Sequence, residues 1–65
     1  MITVNGTTHS FKFGQTLADL LDGLDLSTQV CAIEVNKKLV PHSERKEYKL
    51  QEDDSIEIVS LVGGG

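Results

Sequence analysis

Leu17, Leu20, Leu21 and Leu24 recur at i, i+3, i+4 and i+7, the spacing of one face of an α-helix. Asp19 and Asp22 fall on the opposite face. Thr16 followed by Asp19 reads as a capping box, with Asp in place of the usual Glu. Gly23 is expected to end the helix in a left-handed conformation, with Leu24 folded back on the last turn. A helix this short is not stable alone, so other parts of the chain must cover its leucine stripe. The rest of the 65 residues offers only segments patterned as strands, and this limits the class of fold.

Ile2 and Val4 alternate with polar residues ahead of Asn5-Gly6, a pair that favours a two-residue type I′ turn. Such a turn pairs Val4 with Thr7 and Ile2 with His9, and predicts Ile2, Val4, Phe11 and Phe13 on one face. Gly14 breaks the second strand. Residues 30–35 read as a third strand with Cys31, Ile33 and Val35 on one face. Asn36-Lys37 is a turn, and Leu39-Val40 a short strand stopped by Pro41, which cannot donate to a ladder. Residues 42–47 form a polar connection. Tyr48 and Leu50 are expected over one end of the core, and Glu52-Asp53-Asp54 as a turn. The last strand covers 55–61, with Ile56 and Ile58 inward and Val59 and Leu61 on the open face. A helix that follows a hairpin and precedes further strands implies that a later strand lies parallel to the first, with the helix on one face of a mixed sheet. This α+β order resembles the β-grasp of ubiquitin-like proteins. Residues 1–62 are expected to form the β-grasp domain and 63–65 a flexible C-terminal glycine tail.

Composition narrows the function. The one cysteine, Cys31, can form no internal disulfide, which small secreted domains usually need, so a cytoplasmic protein is expected. The first residues lack the basic stretch of a signal peptide. No apolar run reaches the roughly 18–20 residues that span a bilayer, so no membrane partner is expected. Six basic and ten acidic residues give a net charge of −4, which disfavours nucleic acid. Five of the six basic residues lie between positions 37 and 49, an asymmetry that can orient a partner. His9 and His42 stand apart with no ligand spacing, so no metal site is expected. Cys31 has no CxxC partner or adjacent His to activate it and reads as a small apolar strand residue. No nucleophile elbow, triad or phosphate loop occurs. Asp53-Asp54 reads as solvated turn residues rather than an acid–base pair. A self-contained active site, and hence an enzyme, is not expected.

Gly63-Gly64-Gly65 is the feature that folding does not explain. Glycine costs the most entropy to order, so this segment adds nothing to stability. Such an ending is either a frayed terminus or a tool. Lacking side chains, it can enter a narrow channel in another protein and present a terminal carboxylate there.

The chain resembles the ThiS family of thiamine-biosynthesis sulfur carriers along nearly its whole length. The matching pieces are Gly14-Gln15-Thr16-Leu17-Ala18-Asp19-Leu20-Leu21, then Glu34-Val35-Asn36-Lys37-Lys38-Leu39-Val40-Pro41, Asp54-Ser55-Ile56-Glu57-Ile58-Val59 and Val62-Gly63-Gly64-Gly65. Asp53-Asp54 stands where the family often has Gly-Asp, and Asp tolerates left-handed geometry. The resemblance implies that Gly65 is adenylated by a ThiF-like enzyme, which supplies the ATP and magnesium. Sulfur from a cysteine desulfurase relay then converts it to a thiocarboxylate, and a ThiG-like thiazole synthase receives the sulfur. This chain would be a protein co-substrate with no bound cofactor. Gly63 and Gly64 would let the tail extend, and Val59, Leu61 and Val62 are expected as apolar anchors for the partner. Other readings of the same fold are a molybdopterin-type carrier, a ubiquitin-like modifier and a plain interaction module.

Overall fold

The computed structural model describes residues 1–26 and 30–60. Its elements are β1 (Ile2–Val4), β2 (Thr7–His9), α1 (Leu17–Gly23), β3 (Cys31–Val35), β4 (Lys38–Val40), a 3₁₀ turn (His42–Glu44) and β5 (Ser55–Ser60). The strands form one mixed sheet in the order β2-β1-β5-β3-β4. β1 and β5 run parallel, and the other neighbours are antiparallel. The helix covers one face, which is the α+β, ubiquitin-like arrangement that the segment order implies.

Two turns fix the register. Asn5 (φ 50°) and Gly6 (φ 84°) both take positive φ, as a type I′ turn requires. Val4 therefore faces Thr7 and Ile2 faces His9. Asn36 (φ 53°) and Lys37 (φ 70°) repeat the device between β3 and β4, setting Val35 opposite Lys38. At the third turn Asp53 holds φ 68°, so an Asp occupies the left-handed position where the family resemblance expects Gly.

The helix starts as expected. The Asp19 N–H donates to Thr16 Oγ1 (3.2 Å) and the Thr16 N–H to Asp19 Oδ2 (3.0 Å), closing the capping box. Its end differs from expectation. Gly23 is the last helical residue and Leu24 the C-cap, while the left-handed position falls to Asp25 (φ 59°). The Leu26 N–H donates to the Leu21 carbonyl (2.8 Å) and the Asp25 N–H to that of Asp22 (3.1 Å). This is a Schellman motif displaced two residues along the chain. With the left-handed residue at Asp25, both Leu24 and Leu26 pack against the core.

Ile2, Leu17, Ile33 and Ile56 are fully buried, and Val4, Leu20, Leu21, Val35, Val40 and Leu50 complete the core between helix and sheet. Phe13 is a correction. It is 100% exposed, whereas hairpin parity set it inward. β2 ends at His9, and the Gln15 N–H donates to the Lys12 carbonyl in a tight turn where Gly14 holds φ 88°. Strand alternation stops before it reaches Phe13, and only Phe11 packs on the core. The connection 42–47 is also less polar in effect than its composition. Arg45 is buried there, and its Nη2 donates to the Cys31 carbonyl at 2.6 Å.

Candidate functional site

The expected site is the end of β5 and the glycines that follow. Gly63, Gly64, Gly65, Leu61 and Val62 lie outside the described residues. Val59 is within them. β5 alternates, so Ile56 and Ile58 turn toward the helix and Ser55, Glu57 and Val59 toward the uncovered face. Val59 is 55% exposed, as the pattern predicts.

Register identifies its neighbours. Val59 lies opposite Ala32, Glu57 opposite Glu34, and Glu34 opposite Leu39. Cross-strand partners share a face. The open face therefore carries the apolar residues Val59, Ala32 and Leu39 beside two carboxylates placed directly opposite one another. Ala32, Glu34 and Leu39 were not singled out from the sequence. Their signal was present, because Ala32 and Glu34 alternate with the inward Cys31, Ile33 and Val35.

Hydrogen bonds hold β5 in place. At its start Asp54 is only 4% exposed, which corrects the reading of Asp53-Asp54 as solvated. Asn36 Nδ2 donates to Asp54 Oδ1 (2.9 Å), and the Tyr48 hydroxyl (3.0 Å) and Gln51 N–H (2.9 Å) donate to Oδ2. The Ser55 N–H donates to Asn36 Oδ1 at 3.0 Å. Burial raises the Tyr48 phenol above its ordinary value of 10.0, and its hydrogen bond to Asp54 and that residue's charge add to the rise. All the carboxylate oxygens of Asp54 are thus engaged in holding a turn. Nearer the end of the strand, the side-chain amide of Asn5 reaches Ile58.

Cys31 is half-buried on the helix side of β3, against the core. His9 and His42 belong to separate elements. Among the described residues, no group of three or more His, Cys, Asp or Glu side chains is placed to hold a metal ion. No helix among them is long and apolar enough to cross a membrane. The arrangement is an exposed sheet face next to a strand that leads toward the glycines.

Comparison with known proteins gives the family. The model of the ThiS family matches residues 2–65. The chain belongs to the ThiS family. A ThiS sulfur carrier protein from Bacillus subtilis is 35% identical over 66 residues, covering 100% of both chains. A thiazole synthase from Magnetococcus marinus is 42% identical over 64 residues, covering 98% of this chain. The chain spans only 20% of that protein's length. The crystal structure of a ThiS from Geobacter metallireducens superposes with a TM-score of 0.79 at 22% identity, covering 98% of this chain and 97% of that one. At that identity the likeness establishes the shared fold.

Proposed function

We propose that this chain is a sulfur carrier of thiamine biosynthesis, and that the Gly65 carboxylate is its working group. The observation that carries the reading is the family match through residue 65, together with a named sulfur carrier aligned along the whole of both chains. In the first step a carboxylate oxygen of Gly65 attacks the α-phosphorus of ATP in a ThiF-like partner. Pyrophosphate leaves with magnesium, giving an acyl-adenylate. The terminal sulfur of a persulfide, supplied through a cysteine desulfurase, then attacks the acyl carbon and AMP departs. A thiol cleaves the resulting sulfur–sulfur bond, leaving a thiocarboxylate on Gly65 and a disulfide. These steps belong in the cytoplasm, and the ATP and magnesium belong to the partner.

Thiazole synthase is the proposed acceptor. A segment of the Magnetococcus protein of that name matches 98% of this chain, which supports a close working relation between the two. The partner face we propose is the open one. Val59 would anchor it, with Leu61 and Val62 continuing the anchor and Gly63 and Gly64 passing through the partner's channel. An exposed apolar group beside a tail is what such docking requires.

The test is to incubate the chain with its cognate adenylating enzyme, ATP and a persulfide donor, alkylate thiols and map the fragments by mass. A labile, alkylatable sulfur on the fragment ending at Gly65 is expected. Removing Gly64-Gly65 should abolish it while the fold stays intact. An unmodified Gly65 in the complete mixture would overturn the proposal and leave an interaction module. Adducts with lysines of other proteins would instead mark a modifier.

A further inference from the structure

The short β1 strand leaves a gap in the ladder that one side chain fills. In a parallel pairing the bonds recur at every second residue. The Thr3 N–H donates to the Asp54 carbonyl (3.0 Å) and the Asn5 N–H to the Ile56 carbonyl (2.9 Å). The next rung belongs to Ile58, but the chain turns away at Gly6. The Asn5 side chain takes over both bonds. The Ile58 N–H donates to Asn5 Oδ1 at 2.7 Å, and Asn5 Nδ2 donates to the Ile58 carbonyl at 3.2 Å. One orientation of the amide satisfies both bonds, and the flipped one would set donor against donor.

Turn geometry alone does not account for this amide. Glycine would serve the positive φ of Asn5 at least as well. Nor does the core need it, since Ile58 already packs there through its own side chain. The bonds fix the backbone of β5 at Ile58 on the side facing β1, while Val59 and Ser60 beyond it stay paired with β3.

We propose that Asn5 is a positioning residue for carboxylate activation: its amide clamps the backbone of β5 at Ile58, on the side where β1 has ended. This rests on the sulfur-carrier reading above. Binding of the partner uses the open face, on which Val59 lies and Asn5 does not act. Delivery of the carboxylate to the α-phosphate depends on where the strand points. Loss of the clamp therefore lowers turnover and leaves binding unchanged, because a loosened strand end spends less time in the productive geometry.

The experiment compares Asn5→Gly, which keeps the turn and loses both bonds, and Asn5→Asp, which keeps the acceptor, with the wild type. Hydrogen exchange at the Ile58 amide should quicken about 5- to 30-fold in Asn5→Gly, the scale set by losing two modest hydrogen bonds. Asn5→Asp should fall between, and the Ile33 amide should keep its rate in both. In pyrophosphate exchange with the cognate adenylating enzyme, kcat should fall about 5- to 30-fold in Asn5→Gly while KM for the carrier stays within about twofold. Unchanged exchange at Ile58 overturns the clamp. Faster exchange with wild-type kcat, or a rise in KM alone, overturns the positioning role. If Asn5→Gly loses protection at Ile33 as well, the role is global stability and the proposal fails. A wild-type chain that supports no pyrophosphate exchange overturns the sulfur-carrier reading, and the exchange arm then still reports on the clamp itself.

Discussion

Replacing Asp54 by alanine tests how the central strand is held. The carboxylate is almost wholly buried and accepts hydrogen bonds from Asn36, Tyr48 and Gln51 at 2.9–3.0 Å. A hydrogen bond to a charged group contributes about 1.5–3 kcal/mol. The three donors are only partly buried, so water recovers some of the loss, and about 2–4 kcal/mol is the net expectation. A single core of this size supplies about 3–5 kcal/mol in all. Asp54→Ala should therefore remove about two-fifths of the stability or more. Urea unfolding followed by circular dichroism at pH 7 would show the midpoint fall by about two-fifths or more with an unchanged slope. Asp54→Asn retains Oδ1 toward Asn36 but sets an amide donor against the Gln51 N–H, so it should recover only part. A loss below about 0.5 kcal/mol in Asp54→Ala, the range of ordinary surface substitutions, would refute the view that this carboxylate organises the turn.

Phe13→Ser should change stability by less than about 0.5 kcal/mol, because the ring is fully exposed; a large loss on denaturation would mean that Phe13 belongs to the core after all. Glu57→Gln removes a like-charge pairing with Glu34 and should stabilise the chain by about 0.2–1 kcal/mol at low salt, a gain that shrinks when the melt is repeated in high salt. Val59→Ala removes two methyl groups from the open face. If the partner buries that residue, KM in pyrophosphate exchange should rise about tenfold at nearly constant kcat, and an unchanged KM would exclude Val59 as an anchor. The raised Tyr48 phenol gives a pH signature. Its contribution is fully present below the unfolded value near 10 and is lost as pH rises through the higher folded value. The alkaline limb of a stability profile should therefore flatten in Tyr48→Phe, and an identical limb would reject this source.

Much of the fold was legible because local signals agreed with one another. The Asn5-Gly6 turn, the Ile2/Val4 alternation and the leucine stripe each pointed to the same sheet and helix. The misses share a cause. Strand parity holds only to the end of β2 at His9 and does not reach Phe13 in the following turn, and the left-handed position after the helix falls at Asp25 rather than at the glycine. Burial of Asp54 and Arg45 was invisible because each depends on distant partners. Asp54 receives Asn36 from another hairpin, and Arg45 meets a carbonyl at Cys31. For the site, Val59 could be placed by alternation alone, whereas Ala32 and Leu39 join it only through register. Asn5 was readable as a turn residue. Its second role needs the parallel neighbour, and no local pattern encodes that.

The strand that precedes the glycines is held unevenly along its length. β5 lies between β1 and β3, yet β1 is only three residues long. Along β3 the pairing is continuous from Val35↔Ile56 to Cys31↔Ser60. Along β1 it covers only Thr3↔Ser55 and Val4↔Ile56. Among the described residues, the second half of β5 pairs along its backbone with β3, and the Asn5 amide meets it at Ile58. Removing a core residue such as Ile56 weakens everything together, because its side chain is fully buried in the shared core. Removing the Asn5 amide should loosen the backbone at Ile58, for the two bonds are local and exposed, while Val59 and Ser60 keep their pairing with Ala32 and Cys31. In the proposed carrier role, the start of the strand secures the small domain and the Asn5 amide acts only on its second half.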